Sequence, residues 1–470
     1  MNKNSNNPSP SLGDSITYGI YRVFEFVLRL LPMEVVCVIG SGFGQIAYHL
    51  MNRRRNVVLR NLRIVYGEQL SMQEIKALTR KTFRHTGQNL IASIPASTLS
   101  DEELKQRVEV VGREHFLEAQ NQGNGCILLL AHMGNWEILT QLKVLIPEID
   151  SLASLYRPLN NPLLDRLVKR RRQSKDAKLY SREDGFAKPI THLKLGGSLG
   201  CIADQSAGKH GVTVSLFGKQ TSMTNLPALL HRKTKAPILP ISMCSVFPGK
   251  WKVVLHPLIE VLEENKRDTY QITTQCADAY EKLMKESPAD VLWMHNYWRG
   301  GKRTALKIRG QSPRKANLSP HHSSQPFYVL AHSGSTISDE QLAKALTYLR
   351  ACRPDLNITL TGHHSEFPHT DHCLPINAQD PPHLAVNALS KLEDAMPAPF
   401  DCALDFSDDK TGIRLFTKAG IRPQFALSSP PKSAGHGPMP AAGSSSYDAR
   451  LDYFIQRISS PPPPTVDTPR

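Results

Sequence analysis

Between about residues 105 and 300, short apolar runs alternate with helical stretches, and this alternation constrains the fold more than any other feature of the chain. VEVVG, CILLLAH, SLASLY, GGSLGCIAD, VTVSLFG, PILPISMCSVF and WKVVLHPLI read as strands, whereas residues 161–175 and 268–286 carry helical spacing. Strands interleaved with helices define an α/β class, with helices flanking a mixed sheet. Such sheets carry their working residues at the carboxyl ends of strands. One strand end is chemically equipped: AHMGNWEI, residues 131–138, directly follows the apolar run Cys126 to Leu130.

That turn places His132 and Glu137 five positions apart. The spacing can bring a base and its orienting carboxylate together, as removal of a proton from a hydroxyl requires. Spacing alone does not establish this. With eighteen His and forty-two Asp or Glu, chance supplies roughly one or two H-x-x-x-x-[DE] matches, and the chain has one. A histidine bonded to a neighbouring backbone group at a strand end has the same sequence signature.

Charge is unevenly distributed. Residues 316–470 hold 12 Lys+Arg against 15 Asp+Glu, leaving 45 against 27 for residues 1–315. The basic excess of the first part points to an anionic partner: acidic lipid headgroups, an acidic carrier protein or nucleic acid. No nucleic-acid recognition motif accompanies it, and the arginines lie beside an apolar segment, so no nucleic-acid partner is expected. The eight cysteines include no C-x-x-C pair, which argues against a zinc site or a disulfide framework and fits a reducing compartment. No metal and no cofactor are expected.

Residues 1–14 are polar and read as a disordered start without a secretory signal. Residues 15–31 read as a helix in which Arg22, Glu25 and Arg29 form one stripe and Ile20, Phe24, Val27, Leu28 and Leu31 cover much of the rest. The charges interrupt the run well short of the roughly 20 apolar residues a span needs. A helix lying in a membrane interface and a helix packed on the protein's own core both have this pattern. The adjoining basic stretch, with Arg53, Arg54, Arg55, Arg60 and Arg63, favours the first, because apolar burial and basic charge together bind anionic membranes.

Residues 306–325 have linker composition, and 326–427 read as a second, smaller α/β domain, a Rossmann-like half. FYVLAH and NITLTG are its strands, and residues 338–352 its helix. His363, His364, His369 and His372 lie in a Pro-containing loop without the second cluster a metal site needs. Residues 428–470, ending near PPPP, read as a mostly disordered tail.

Four ordered segments, AHMGNWE, YRPLNNPLLDRLVKRRR, ADQSAGKHGVTVSLFGKQTSMTNLPALLHRKTKAPILP and LWMHNYWR, resemble the lipid A biosynthesis lauroyl and myristoyl acyltransferases of the lysophospholipid acyltransferase superfamily. The resemblance covers about residues 15–305. It implies transfer of a fatty acyl chain from a thioester, on acyl carrier protein or CoA, to a hydroxyl of a lipid A precursor at the cytoplasmic face of the bacterial inner membrane, by a peripheral or monotopic enzyme. By this reading His132 is the base and Glu137 its orienter, and the acceptor hydroxyl attacks directly without a covalent enzyme intermediate. The amides of Gly134 to Trp136 and the side chain of Arg157 are sources of oxyanion stabilisation. Asn135, Arg157, Asn161, Asp204, Gln205 and Gly208 match substrate-site positions, although Arg157 also suits a structural ion pair, Asp204 a loop cap, and Asn161 the cap of the next helix, with Pro162 at its first position.

The chain departs from the family before LWMH, where it reads ESPADV instead of an arginine and a Pro-Glu-Gln-like run. Acceptors other than lipid A precursors, such as a lysophospholipid or another glycolipid, and an inactive lipid-binding or assembly protein are compatible with the same residues. ALTYLRACRPDLNITLTG and DCALDFSDDKTGIRLFTKAGIRPQFAL weakly resemble the first half of heptosyltransferase-type glycosyltransferases. The nucleotide-sugar half of such enzymes has no counterpart after residue 427, so a vestigial or docking role is expected of this region.

Overall fold

The first helix starts where its capping chemistry dictates. Ser11 Oγ accepts from Asp14 N at 3.1 Å and Asp14 Oδ2 accepts from Ser11 N at 2.9 Å, a reciprocal capping box. Helix α1 therefore spans Leu12–Arg29, and residues 12–14, expected to be disordered, are helical. The computed structural model describes residues 10–427 apart from 182–184, 209–210, 263–267, 299–325, 335–336, 353–355, 363–365, 375, 377–381, 397–399, 408–410, 420 and 422–423. The expected linker at 306–325, the tail from 428, His363 and His364 lie outside the described residues.

After α1 come α2 (Met33–Leu50), α3 (Asn52–Tyr66), α4 (Met72–Ala96), α5 (Asp101–Arg107), β1 (Val108–Val111), α6 (Arg113–Asn121), β2 (Cys126–Leu130), α7 (Leu142–Leu145), β3 (Leu152–Tyr156), α8 (Pro162–Arg172), β4 (Lys178–Ser181), α9 (Ala187–Lys194) and β5 (Ser198–Ile202). The chain continues through β6 (Val212–Leu216), β7 (Lys219–Met223), α10 (Leu226–Thr234), β8 (Ile238–Phe247), β9 (Lys250–Leu255) and α11 (Thr269–Glu286). Next are β10 (Phe327–His332), α12 (Asp339–Cys352), β11 (Leu356–Thr361), β12 (His372–Leu374), α13 (Pro382–Ala395), β13 (Cys402–Asp405), α14 (Thr411–Ala419) and β14 (Gln424–Ala426).

The contacts divide the chain into two units. The first comprises Met1–Leu59, Lys76–Gln205 and Met223–Tyr297. Its seven-stranded sheet has the order β1-β9-β8-β2-β5-β3-β4, and every pair is parallel except β8 with β9. The mixed sheet flanked by helices is thus the observed architecture. β2 lies between β8 and β5 and is buried along its whole length, as its unbroken apolar run requires. Two short polar strands, KLYS at β4 and KQTSM at β7, carry no apolar run by which they could be recognised.

Helix α1 buries Glu25 and Leu28, while Arg22 and Arg29 remain exposed. Glu25 is buried and forms ion pairs with Arg22 at 3.4 Å, with Arg29 and with Arg171 of α8, while Arg171 donates to Tyr21 Oη at 2.6 Å. Leu12, Ile16, Ile20, Val23, Phe26, Val27 and Leu30 are left exposed, and Val38, Phe43, Ile46 and Leu50 of α2 are exposed as well. Among the described residues no helix is long and apolar enough to cross a membrane. Behind this surface α2 packs on α4 through glycine: a Cβ at Gly87 would lie 2.3 Å from Gly40 O, and one at Gly44 would lie 2.1 Å from Phe83 O.

The second unit comprises Arg60–Ile75, Ser206–Ser222 and Trp298–Arg470. Its five strands are all parallel in the order β12-β11-β10-β13-β14, over a core of Val329, Leu342, Leu346, Leu349, Ile358 and Leu404. The run VTVSLFG is β6 of a separate two-stranded sheet in this unit, paired with β7 and not with the seven-stranded sheet. Phe217 and Gly218 at its turn have φ of 52° and 72°, the left-handed pair that a tight two-residue hairpin demands.

Candidate active site

The site is built by strand register. Leu130 of β2 pairs with Ile202 of β5, so the residues two positions beyond each, His132 and Asp204, leave the sheet side by side. His132 Nδ1 lies 2.6 Å from Asp204 Oδ1, and Asp204 Oδ2 accepts from His132 N at 3.0 Å. Tyr297 Oη donates to Asp204 Oδ2 at 3.2 Å. An ionised carboxylate only accepts, so Nδ1 carries the proton and Nε2 presents its lone pair. Gln205 Nε2 lies 3.4 Å from that Nε2, and Trp136 meets the imidazole ring edge-on at 5.4 Å.

Burial works to raise the pKa of Asp204, but the electrostatic interaction with His132 and the hydrogen bonds from its ring and amide outweigh it, and the carboxyl falls below its ordinary value. The group therefore stays charged beneath the imidazole. Burial, reinforced by the Asp204 charge, pushes the Tyr297 phenol well above its usual range, so it remains a donor.

Glu137, expected to orient His132, is engaged elsewhere. It lies in a short 3₁₀ turn, Trp136–Gln141, and accepts from Arg172 of α8 at 3.0 Å and 2.6 Å in a two-point ion pair. The carboxylate on Nδ1 is Asp204, from a different strand. Sequence spacing missed it because lateral strand pairing, not chain proximity, sets the partner. Matching offsets from two apolar strands were the available signal.

The turn after β2 is clamped from one side. Gly134 N donates to Asp290 O at 3.0 Å, Leu292 N donates to His132 O at 2.8 Å, and Met133 forms an antiparallel bridge with Val291. Gly134 has φ of 57°, and a Cβ there would meet Met243 O at 2.3 Å. Its amide, one of the expected oxyanion donors, is thus committed to Asp290. The Asp290 carboxylate accepts from Ser287 Oγ at 2.6 Å, Ser245 Oγ at 2.7 Å, Ser245 N at 2.8 Å, His85 Nδ1 at 3.0 Å and Asn89 Nδ2 at 3.1 Å. The departing ESPADV segment therefore supports the turn through an aspartate that its sequence does not mark out.

The remaining expected residues take distinct places. Asn135, in the turn, is 1% exposed, and neither its Oδ1 nor its Nδ2 has a hydrogen-bond partner among the described residues. Arg157 leaves the end of β3, the neighbour of β5, and is exposed. Asn161 caps α8, accepting from Leu163 N at 2.9 Å and Leu164 N at 3.2 Å, and donates to Asp14 O at 3.0 Å. Gly208, with φ of 59°, belongs to the second unit, where its carbonyl accepts from Ser222 Oγ at 2.6 Å.

A histidine held by a buried carboxylate at adjacent strand ends of an α/β sheet defines a class of general-base transferases and hydrolases. The chain belongs to the bacterial lipid A biosynthesis acyltransferase family, whose sequence pattern matches residues 11–300. As a member it is an O-acyltransferase. It is 28% identical over 271 residues to the lipid A biosynthesis lauroyltransferase of Escherichia coli (strain K12), covering 56% of this chain and 85% of that protein. A lipid A biosynthesis acyltransferase of Haemophilus influenzae (strain ATCC 51907 / DSM 11121 / KW20 / Rd) is 24% identical over 283 residues, covering 59% and 86%. The phosphatidylinositol mannoside acyltransferase of Mycolicibacterium smegmatis (strain ATCC 700084 / mc(2)155) is 24% identical over 199 residues, covering 42% and 64%.

Proposed function

We propose that the protein moves a fatty acyl chain from a thioester, on acyl carrier protein or CoA, to a hydroxyl of a lipid A precursor, with His132 as general base and Asp204 as the carboxylate that orients it. The observation that carries this reading is the 2.6 Å contact between His132 Nδ1 and the buried Asp204 carboxylate. With that tautomer fixed, Nε2 takes the proton as the acceptor oxygen attacks the thioester carbonyl, and Asp204 stabilises the imidazolium. The imidazolium then returns the proton to the leaving thiolate. No enzyme-bound acyl intermediate is required, because the acceptor supplies the nucleophile.

Oxyanion stabilisation in this proposal comes from Asn135 and Arg157. The unpartnered, buried amide of Asn135 supports a bond supplied by substrate, since leaving such a group unsatisfied costs about 1–3 kcal/mol. Gln205 beside Nε2 supports a role in placing the acceptor hydroxyl. Glu137 is reassigned as a positioning residue that ties the 3₁₀ turn to α8 through Arg172.

The outward apolar faces of α1 and α2 support seating at an anionic bilayer, peripheral or monotopic, at the cytoplasmic face of the inner membrane. The strand order of the second unit supports its reading as half of a Rossmann-like fold.

Turnover of purified protein with an acyl-carrier donor and a lipid A precursor, read by mass spectrometry, tests the proposal. His132→Ala is expected to abolish product, and an undiminished rate would refute the mechanism. The match to phosphatidylinositol mannoside acyltransferases favours one further acceptor class. A mannosylated phospholipid is therefore run beside the lipid A precursor, and preference for it would reassign the acceptor.

A further inference from the structure

Asp401 is a buried carboxylate that gathers distant stretches of chain. Its Oδ2 accepts from Lys219 Nζ at 2.6 Å and from Tyr328 N at 2.9 Å, and its Oδ1 accepts from Arg60 at 3.2 Å. Lys219, at the start of β7, is itself buried, reaches Pro326 O at 3.4 Å and lies 5.5 Å from the Tyr328 ring centroid. Arg60 also donates to Trp298 O at 3.3 Å, Trp298 Nε1 donates to Lys219 O at 3.3 Å, and Arg63 donates to Met396 O at 3.3 Å. One carboxylate just before β13 thus holds Arg60 of α3 and the β6–β7 hairpin, and Trp298 bonds both the Arg60 guanidinium and the Lys219 carbonyl. Arg60, the hairpin and Trp298 belong to the part of the chain matched by the acyltransferase family, whereas Asp401 lies beyond it.

Two of these stretches continue directly into the catalytic carboxylate's surroundings. Ser206, the first residue of the hairpin-bearing stretch, follows Gln205 and stands two positions after Asp204. Trp298 follows Tyr297, whose hydroxyl donates to Asp204. We propose that Asp401 is a positioning residue for acyl transfer: by fixing Lys219 and Arg60 it holds the chain leaving Asp204 and the chain leaving Tyr297, and so sets the His132–Asp204 geometry. The C-terminal unit is on this view a working part of the acyltransferase and not the vestigial or docking region expected from sequence. The inference rests on the acyl-transfer reading for its kinetic arm only.

The test uses full-length Asp401→Asn, Lys219→Met and Lys219→Arg. Loss of either member weakens a buried charge network, and a small misplacement of catalytic groups costs on the order of tenfold to a hundredfold in rate. Asp401→Asn and Lys219→Met are expected to lower kcat by that range with KM changed by less than about twofold, while Lys219→Arg regains most of the rate. Backbone hydrogen exchange is expected to rise in peptides covering 128–135 and 203–206 in the first two variants and not in the third. A purely structural role would lower the melting temperature and leave kcat per folded molecule unchanged, overturning the inference, as would unaltered exchange at those peptides. Should Asp401→Asn fail to fold, the lysine pair carries the same comparison. Wild-type protein without turnover would sink the acyl-transfer reading, and exchange would still decide the positioning claim.

Discussion

At the residue scale, the base proposed here, His132, is held by Asp204, and a second carboxylate near it, Glu137, is held by Arg172. Asp204→Asn would let the amide donate where Nδ1–H must be accepted, inverting the tautomer. A loss of about 10²–10⁴ in kcat is expected, with KM little changed. Glu137→Gln keeps the turn's shape and weakens only an ion pair to Arg172, so its kcat should fall less than about tenfold. Equal losses in steady-state assays of the two variants would restore Glu137 to the catalytic pair. Asn135→Leu offers a sharper contrast: replacing an unsatisfied buried amide by an apolar group of similar size should raise the melting temperature while lowering kcat. A variant both less stable and fully active would count against substrate contact. His132 was legible in sequence because it terminates an apolar strand within a recognisable motif. Asp204 was legible as a site residue but not as the partner, since nothing local states that β2 and β5 are neighbours.

At the scale of elements, α1 buries Glu25, paired with Arg171, beside Leu28, and leaves Leu12, Ile16, Ile20, Val23, Phe26, Val27 and Leu30 exposed. Of the apolar residues that periodicity picked out, Ile20 and Val27 are exposed, whereas Leu28 is buried and Phe24 and Leu31 pack on the core. The inward face was not deducible, because the arginine that neutralises Glu25 comes from α8. Ile20→Asp places a charge on the exposed stripe without disturbing the Glu25 cluster, and sedimentation with anionic vesicles should show loss of binding at unchanged circular dichroism. Binding equal to wild type would remove α1 from the membrane surface. The α2–α4 contact depends on backbone approach, so Gly87→Ala should destabilise by about 1–3 kcal/mol in denaturant melts. No loss would mean that the helices separate freely.

At the scale of the whole molecule, stability against acid depends on buried carboxylates. Burial raises the pKa of both Asp204 and Asp290, yet the interaction and hydrogen bonds with His132 in one case and the His85 and Ser287 hydrogen bonds in the other bring each below the ordinary 3.8. A depressed carboxylate contributes its stabilisation fully above the ordinary value and loses it as pH falls through the lower, folded value. Melting temperature should therefore hold until about pH 4 and drop below it, and Asp290→Asn should flatten that drop. A wild-type curve already falling between pH 6 and 5 would contradict this. The α/β alternation was visible from residue 105 onward. The grouping of residues 60–75 and 206–222 with the C-terminal strands was not, because it rests on tertiary contacts, among them the ion pairs of Asp401 with Arg60 and Lys219.

The register that aligns Leu130 with Ile202 also separates chemistry from the chain between them. His132 and Asp204 are 72 positions apart, yet paired strand ends bring them together. The loop after β3, which lies between them in the chain, can lengthen, shorten or change composition without altering that register. Acceptor choice can therefore diverge among relatives while the reaction stays the same.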